Sequence, residues 1–248
     1  MVFDIITIFP ELFPPYLNES LLKHAQKKGL LDFRVHNLRD YAPGKHHVVD
    51  DRPYGGGPGM ILRADIMIRC LETVTGYGLR VTKKTSPHSS LVTRNSRTRT
   101  RVIALDPAGK QLTQAMAKRL TTYDQLVLLC GRYEGFDERV YKFADEKISI
   151  GPYVLLGGEL PALVVIDAVS RMIPGVVGDP ESIVNETHST EGYVEYPQYT
   201  RPEAIRVQGM GYRGKKKLNP RTLTVPNVLL SGDHKKIEQW RKKYARHK

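Results

Sequence analysis

The chain has 248 residues, of which 40% are hydrophobic and 26% charged, so it is long enough to bury one large core and a smaller one. It carries 38 lysines and arginines against 26 acidic residues, and the net charge of +12 favours a polyanionic partner. Its two cysteines lie far apart on apolar segments, which argues against a disulfide framework or a zinc site. No uncharged apolar run reaches about 18 residues, the length that a membrane span requires. We therefore expect a soluble cytoplasmic protein.

Three segments carry more than half of the basic residues: 73–105, 204–232 and 233–248. The first two contain no acidic residue, although a basic run taken alone is often only a solvated surface. Aromatic residues lie within these segments, at Tyr77, Tyr212, Trp240 and Tyr244. Basic and aromatic residues interleaved in this way favour the phosphate of RNA or DNA as the ligand, and charge does not distinguish the two.

The start of the chain predicts a strand, a helix and a second strand before a glycine-rich loop. FDIITIF is typical of a buried strand, Pro14-Pro15 opens a helix that ends near Gly29, and LDFRVHNL alternates as a strand. In the segment VDDRPYGGGPGM (49–60), four glycines and two prolines exclude a helix or a central strand. A helical stripe follows, formed by Ile66, Met67, Cys70, Leu71 and Val74.

The rest of the chain continues the alternation of strand and helix. RVIAL and QLVLLC predict strands with the helix QLTQAMAKRL between them, and Asp137 opens a short helix before the strand KISI. A helix from Leu160 to Met172 follows, and the pattern then disappears from Val176 to Pro202, as in a linker or a functional loop. The last predicted helix is basic and amphipathic, with one face formed by Ile237, Trp240 and Tyr244. This order predicts an α/β domain around a mostly parallel sheet.

Three loops follow predicted strands, at the edge where open parallel sheets bind ligands. They are LDPAGK (105–110), CGRYEGFDERV (130–140) and IGPYVLLGGELPA (150–162). The common nucleotide-binding motifs are missing: Leu62 stands where G-x-G-x-x-G needs its third glycine, and no Ser or Thr follows Lys110 as a P-loop requires. The G-x-S-x-G motif of serine hydrolases is missing too. The loops therefore predict a ligand site without a standard nucleotide motif.

Four separated motifs resemble, in order along the chain, those of the bacterial tRNA (guanine-N1-)-methyltransferases, a family of the SPOUT superfamily of knotted methyltransferases. They are VDDRPYGGGPGM, GRYEGFDERV, SIGPYVLLGGELPA and YTRPE, and the resemblance runs from IFPELF to LLSGDHKKIEQWR. It implies methylation of N1 of guanosine 37 in tRNA with S-adenosylmethionine as the methyl donor. It also implies a deep trefoil knot whose loops form the cofactor site. The pattern of strands and helices alone does not predict a knot, because knots are rare.

The resemblance divides the chain into a SPOUT methyltransferase domain at 1–172, a linker or active-site loop at 173–203 and a small basic C-terminal helical domain at 204–248. It implies a homodimer whose sites combine the cofactor loops of one chain with the loop that carries the general base of the other. Magnesium is associated with activity in the family, although no spacing of acidic residues marks a metal site. Two basic inserts, 81–100 and 207–221, are longer than is usual in the family, and we expect them to contact tRNA.

By resemblance, the cofactor site comprises residues of the three loops. They are Pro107, Gly131, Tyr133, Glu134, Ile150, Gly151, Pro152, Tyr153, Val154, Leu155, Gly157, Gly158 and Pro161. Glycines let backbone amides and carbonyls approach the edges of adenine, although Gly157-Gly158 taken alone is typical of a strand-to-helix turn. The segment departs from the family's SIGDYVLSGGELPA at Pro152 and Leu156, and Pro152 has no N–H group to donate.

Methyl transfer to N1 of guanine requires a carboxylate that takes the N1 proton and a donor that stabilises charge at O6. The resemblance assigns the donor to Arg171 and places Asp50, in a glycine loop that lines the pocket of the flipped guanine, near the target base. In the segment VNETHSTEG (184–192), Glu186 is the nearest match to the family's aspartate base, and Glu191 competes with it. Each residue also has an interpretation without a role in catalysis. Arg171 would be a cation at the end of a helix, Glu186 a solvated acid of a loop, and the glycine loop a structural Ω-loop.

Two other functions stay open at this point. A non-catalytic RNA-binding relative would keep the fold and the basic surface, and a SPOUT enzyme of another kind would methylate a ribose 2′-hydroxyl. Retention of Arg171 together with an acid near residue 186 favours the guanine methyltransferase.

Overall fold

The computed structural model of the protein describes residues 1–76, 98–207 and 221–247. The chain forms two compact units, Met1–Pro180 and Glu181–Lys248. The domain limits at residues 172 and 203 stay predictions, and most of the two basic inserts, with Tyr77 and Tyr212, lies outside the described residues. No helix within the three described ranges is both long and apolar enough to cross a membrane.

The first unit is built on a five-stranded sheet in which every neighbouring pair is parallel, in the order β2-β1-β6-β5-β7. The strands of this unit are β1 (Val2–Thr7), β2 (Asp32–Asn37), β3 (Asp50–Asp51), β4 (Ile61–Leu62), β5 (Thr100–Gln111), β6 (Gln125–Cys130) and β7 (Glu146–Ser149). The short strands β3 and β4 form a separate antiparallel pair. The predicted mostly parallel sheet with helices is confirmed.

Helices cover the sheet. The α-helices are α1 (Pro14–Leu17), α2 (Ser20–Lys27), α3 (Ala64–Thr75), α4 (Gln114–Leu120) and α5 (Glu159–Ser170), and 3-10 helices span Pro10–Leu12, Leu38–Tyr41 and Glu138–Lys142. A further 3-10 helix, Pro180–Ile183, spans the boundary between the two units in sequence. The prediction of one helix from Pro14 to Gly29 is wrong, because the chain is extended at Glu19 and Ser20 has a φ of 49°. Leu17 and Leu22 are both buried, and in one continuous helix their side chains would point about 140° apart.

Apolar side chains pack on both faces of the sheet because successive residues of a strand point to opposite sides. Phe3 and Ile5 belong to the core cluster that also contains residues of α2, α4 and α5, whereas Ile6 packs in the cluster that contains α3. Both cysteines are buried in these clusters. Burial raises the pKa of the Cys70 thiol to about 12 and also raises that of Cys130 well above its usual value.

Strand β5 carries a loop inside its own length. Leu105 and Lys110 both pair with Ile148 of β7, so the residues between them are extruded from the ladder at the carboxyl edge of the sheet. Gly109 allows this return, because a Cβ atom there would lie 2.6 Å from the backbone nitrogen of Ile148. The extruded loop carries Pro107 to the edge where ligands of parallel sheets bind.

In its described part, the second unit has two antiparallel strand pairs and two α-helices: β8 (Tyr193–Val194) with β11 (Arg246–His247), β9 (Ala204–Val207) with β10 (Arg221–Thr224), α6 (Asn227–Leu230) and α7 (His234–Tyr244). Helix α7 spans the predicted amphipathic helix, and the strand pairs were not predicted. Trp240 lies among three tyrosine rings, with ring centroids 6.4 Å from Tyr196, 6.2 Å from Tyr199 and 4.6 Å from Tyr244.

Candidate active site

A cavity of about 290 Å³ lies at the carboxyl ends of β5, β6 and β7. The three loops that the sequence analysis singled out form its walls, and every predicted cofactor residue except Gly151 and Pro152 lines it. Gly151 is buried against the ring of Tyr153, and Pro152 is exposed beside it. The cavity therefore gathers one set of predicted residues from three segments that are distant in sequence.

Two glycine backbones form the floor of this cavity. The N–H of Gly158 donates to the carbonyl of Gly131 at 2.8 Å, and Gly157 bridges to Arg132 as in an antiparallel pair. A Cβ atom on Gly158 would lie 2.7 Å from the Cα atom of Cys130, so no larger residue fits there. Glycine is required here because two chain segments approach each other closely. A simple strand-to-helix turn would not impose this requirement.

A buried charge pair ties the ends of three elements together. Arg132, after β6, donates through Nε to Oε2 of Glu159 at 2.8 Å, and Thr7, at the end of β1, donates to Oε1 of the same carboxylate at 2.8 Å. Glu159 is only 1% exposed and begins α5. The guanidinium carbon of Arg132 lies 4.5 Å from the ring centroid of Phe9. Because both carboxylate oxygens accept hydrogen bonds, the charge of Glu159 is compensated.

A second polar cluster orients an acid at the rim of the cavity. Asp106 accepts from the N–H of Ala108 at 2.8 Å through Oδ1 and from the Tyr141 hydroxyl through Oδ2. Burial, followed by the hydrogen bond and the charge of Asp106, raises the pKa of Tyr141 above its usual range. The Lys147 ammonium lies 3.3 Å from the centroid of the Tyr141 ring. The Tyr141 hydroxyl is therefore a constant donor that fixes the Asp106 carboxylate.

The glycine-rich loop 49–60 contacts the cavity wall from behind. Met60 accepts from the N–H of Glu134 at 3.0 Å, and a Cβ atom on Gly59 would lie 2.6 Å from Cγ of Glu134. Gly59 has a φ of 83°, a left-handed conformation that favours glycine. The loop therefore fits closely against a predicted cofactor residue.

Asp50 lies on β3, which pairs with the strand β4 next to the same cavity wall. In the β3–β4 pair it faces Leu62, whose N–H donates to the carbonyl of Gly135 at 3.0 Å. Gly135 lines the cavity, whereas Asp50 does not. The backbone thus connects Asp50 to the cavity through two hydrogen-bonded steps.

Arg171 lies at the opposite end of α5 from the cavity. The helix starts at Glu159, and its 12 residues place Arg171, the C-cap residue, about 18 Å from the cavity end. Arg171 lines a second cavity of about 220 Å³. Within a single copy of the first unit, the predicted O6 donor therefore lies far from the predicted cofactor residues.

The two candidate general bases belong to the second unit. Glu186 is half-buried, and its carbonyl accepts from the N–H of Ser189 at 2.9 Å in a turn, whereas Glu191 is exposed. The position of His188 in the left-handed region, with a φ of 71°, makes this turn tight. Glu186 is therefore the more buried of the two candidate bases.

Comparison with known proteins identifies the family. A model of the family described as tRNA (Guanine-1)-methyltransferase TrmD matches residues 1–248. The chain belongs to this family. The tRNA (guanine-N(1)-)-methyltransferase of Thermomicrobium roseum is 45% identical to it over 99% of this chain and 79% of its own length. Proteins of the same name from Geotalea uraniireducens and Anaplasma phagocytophilum are each 44% identical, over 99% and 98% of this chain and 85% and 89% of their own lengths.

Membership of the TrmD family confirms the predicted enzyme class, and the roles of individual site residues stay predictions. The Arg132–Glu159 pair and the Asp106–Tyr141 pair were not predicted from the sequence. A signal for the first pair exists, because an arginine and a glutamate flank the glycines of two motifs that were expected to meet. The second pair has no comparable signal, since Tyr141 lies beyond its loop on a short helix.

Proposed function

We propose that this chain transfers a methyl group from S-adenosylmethionine to N1 of guanosine 37 in tRNA. The observation that carries the proposal is the cavity of about 290 Å³ on which the cofactor motifs of the TrmD family converge. Its volume is close to the lower end of the range for small-molecule sites, about 300–1000 Å³. The basic surface, with a net charge of +12, suits a tRNA substrate in the cytoplasm.

The residues of the cavity fit S-adenosylmethionine. Glycine walls expose backbone donors and acceptors to an adenine edge, and the half-exposed rings of Tyr133 and Tyr153 offer apolar surface. Asp106 and Glu134 supply carboxylates for hydroxyl or ammonium groups. When bound, the cofactor supplies the electrophilic methyl group.

The protein's own groups act on the guanine. Glu186 accepts the N1 proton, with Glu191 as the competing assignment, and Arg171 donates to O6, where negative charge accumulates. Asp50 lies in the loop that receives the base. A planar guanidinium suits O6 because its donors are held in a fixed fork.

A homodimer resolves the separation of Arg171 from the cavity, since a second copy can bring Arg171 and Glu186 to the cofactor loops of the first. This proposal is supported by an exposed apolar surface on α5, on α1 and on the 3-10 helix before α1. Leu160 and Val164 are 63% and 43% exposed on α5, and Leu12 and Tyr16 are 49% and 46% exposed. Leu160, Val164 and Arg171 recur at helical spacing on one face, which is typical of a face that packs against a partner.

The deep trefoil knot belongs to the same proposal. It is supported by the sheet order, in which β6 lies between β1 and β5 while β7 pairs outside β5. After β7 the chain returns to the end of β6, where Gly158 bonds to Gly131. The three-part division at residues 172 and 203 is also proposed. A magnesium requirement is proposed from the family, and the described residues contain no group of three or more ligating side chains placed for a metal ion.

Single-turnover methylation of a tRNA transcript with guanosine at position 37 tests the function, with a transcript carrying adenosine 37 as the control. Mass spectrometry of the digested product should find N1-methylguanosine only in the first transcript. A methyl group on a ribose would identify a 2′-O-methyltransferase. Binding of tRNA and cofactor without transfer would identify a non-catalytic relative. Loss of turnover on chelation and its return with magnesium would establish the metal requirement.

A further inference from the structure

The second cavity, of about 220 Å³, lies between the α1–α2 segment and the C-terminal end of α5. Its α5 side carries three polar residues, Asp167, Ser170 and Arg171, and the opposite side carries Tyr16. The Ser170 side chain is 1% exposed, and its Oγ has no hydrogen-bond partner within the described part of the chain. The cavity therefore concentrates polar groups around the residue that we assign to guanine O6.

A tyrosine and an aspartate bridge this cavity. The Tyr16 hydroxyl donates to Oδ1 of Asp167 at 2.9 Å, and 151 residues separate the two in sequence. Burial, together with the hydrogen bond and the charge of Asp167, raises the pKa of Tyr16 above its usual value. Tyr16 is consequently protonated at neutral pH and acts only as a donor to the carboxylate.

Asp167 and Arg171 lie one helical turn apart. The N–H of Arg171 donates to the carbonyl of Asp167 at 3.2 Å, and both residues line the second cavity. Residues four apart share one helix face, and an acid N-terminal to a base at this spacing is the favourable order. The Asp167 carboxylate, which accepts from Tyr16, therefore lies one turn before Arg171 on the same side of α5.

We propose that Tyr16 and Asp167 form a positioning pair that orients the Arg171 guanidinium for its contact with guanine O6. The inference rests on the proposed catalytic role of Arg171 and adds residues that the family motifs do not name. An arginine side chain has about 2 kcal/mol of rotamer entropy, so an orienting carboxylate lowers the cost of placing its donors. Preorganised donors stabilise developing charge most effectively.

A double-mutant cycle tests whether Tyr16 acts through Arg171. Tyr16→Phe keeps the ring and removes only the hydroxyl, and the loss of a hydrogen bond to a charged group should lower the single-turnover rate about tenfold. In an Arg171→Lys background, where the planar donors are already missing, Tyr16→Phe should cause no further loss. Asp167→Asn should behave in the same way in both backgrounds. Cofactor affinity and the dimer content should stay unchanged in every variant.

Leu21→Val is the matched control, because Leu21 lines the same cavity without a polar group and its conservative change should leave the rate unchanged. Equal rate losses from Tyr16→Phe in both backgrounds would overturn the inference, since the hydroxyl would then act independently of Arg171. A lower melting temperature of Tyr16→Phe with an unchanged methylation rate would also overturn the inference, because the contact between Tyr16 and Asp167 would then be only structural. Failure of the proposed function is recognised separately, because the unmodified protein would then form no N1-methylguanosine. The double-mutant cycle compares rates only among proteins that do form it.

Discussion

At the scale of the residue, the general base is the assignment that the motifs define least well. By resemblance, Glu186 is the nearest match to an aspartate of the family, with a difference of one residue in the length of the loop before Gly192. A longer side chain and a different loop both change where the carboxylate oxygen lies. Glu186 and Glu191 therefore need a direct comparison.

Glu186→Gln should lower turnover by about two to four orders of magnitude, because the amide keeps the shape of the side chain and loses the basic oxygen. The affinity for S-adenosylmethionine should hardly change, since the base acts on the RNA. Single-turnover methylation of the tRNA transcript measures the effect, with Glu191→Gln as the matched variant. A collapse in Glu191→Gln with a near-normal rate in Glu186→Gln would assign the base to Glu191, and normal rates in both would exclude both acids.

Glu159→Gln should destabilise the first unit and weaken cofactor binding. The change leaves Arg132, whose side chain is 20% exposed, without its charge partner, and breaking such a pair from one side costs about 3 kcal/mol. Denaturant unfolding and calorimetric titration with S-adenosylmethionine measure the two effects. Glu11→Gln, at an exposed acid of the same unit, serves as the control. An unchanged unfolding free energy in Glu159→Gln would show that the buried pair contributes nothing to stability.

At the scale of the element, the cavity depends on where two loops cross. The loop after β7 returns to the end of β6 so closely that only glycine fits at residue 158. The two loops are joined at this crossing by their backbones, because the N–H of Gly158 donates to the carbonyl of Gly131.

Gly158→Ala should therefore lower the unfolding free energy by about 1–3 kcal/mol, the usual cost of overpacking, and should impair cofactor binding. Gly178→Ala is the control, since no atom of the residues that the structure describes lies within 4 Å of a Cβ built there and its φ is not positive. Its unfolding free energy should stay within about 0.5 kcal/mol of that of the unmodified protein. Thermal unfolding and cofactor titration distinguish the variants, and equal stabilities would mean that the crossing is looser than its distances indicate.

The strands and most helices of the first unit could be predicted because local sequence determines their burial. QLVLLC is apolar after Gln125 and becomes the central strand β6, whose last five residues are buried. The break between α1 and α2 was not predictable from spacing, since it depends on tertiary packing of Leu17 and Leu22. The loop LDPAGK was predicted, but the return of β5 to the sheet after it was not, because two parts of one strand pair with the same residue, Ile148.

The candidate site was predictable as a set of loops and not as a set of contacts. Family motifs supplied the predicted cofactor residues, and the rule for parallel sheets indicated the edge of the sheet where the cavity lies. The pairs Arg132–Glu159 and Tyr16–Asp167 join residues that are far apart in sequence, so no local pattern reports them.

At the scale of the whole molecule, assembly should control activity. Val164→Glu introduces a charge into the exposed apolar face of α5 and should shift the protein to monomers in light scattering. Methylation should be lost while S-adenosylmethionine still binds, because the cavity that we propose for the cofactor is lined by residues of one chain. Leu230→Glu, at an exposed leucine of the second unit, is the control and should stay dimeric. Full activity of a monomeric Val164→Glu variant would contradict the shared site.

The buried thiols make the protein suited to site-specific labelling. Cys70 and Cys130 are the only cysteines of the chain, and both are buried and have raised pKa values. Electrophilic reagents that react with thiolates should therefore leave the folded protein unmodified. A cysteine introduced by Val184→Cys, at a side chain that is 60% exposed, would then be the one reactive position. Spin labels attached there allow distances between two copies to be measured in solution without removing either native cysteine.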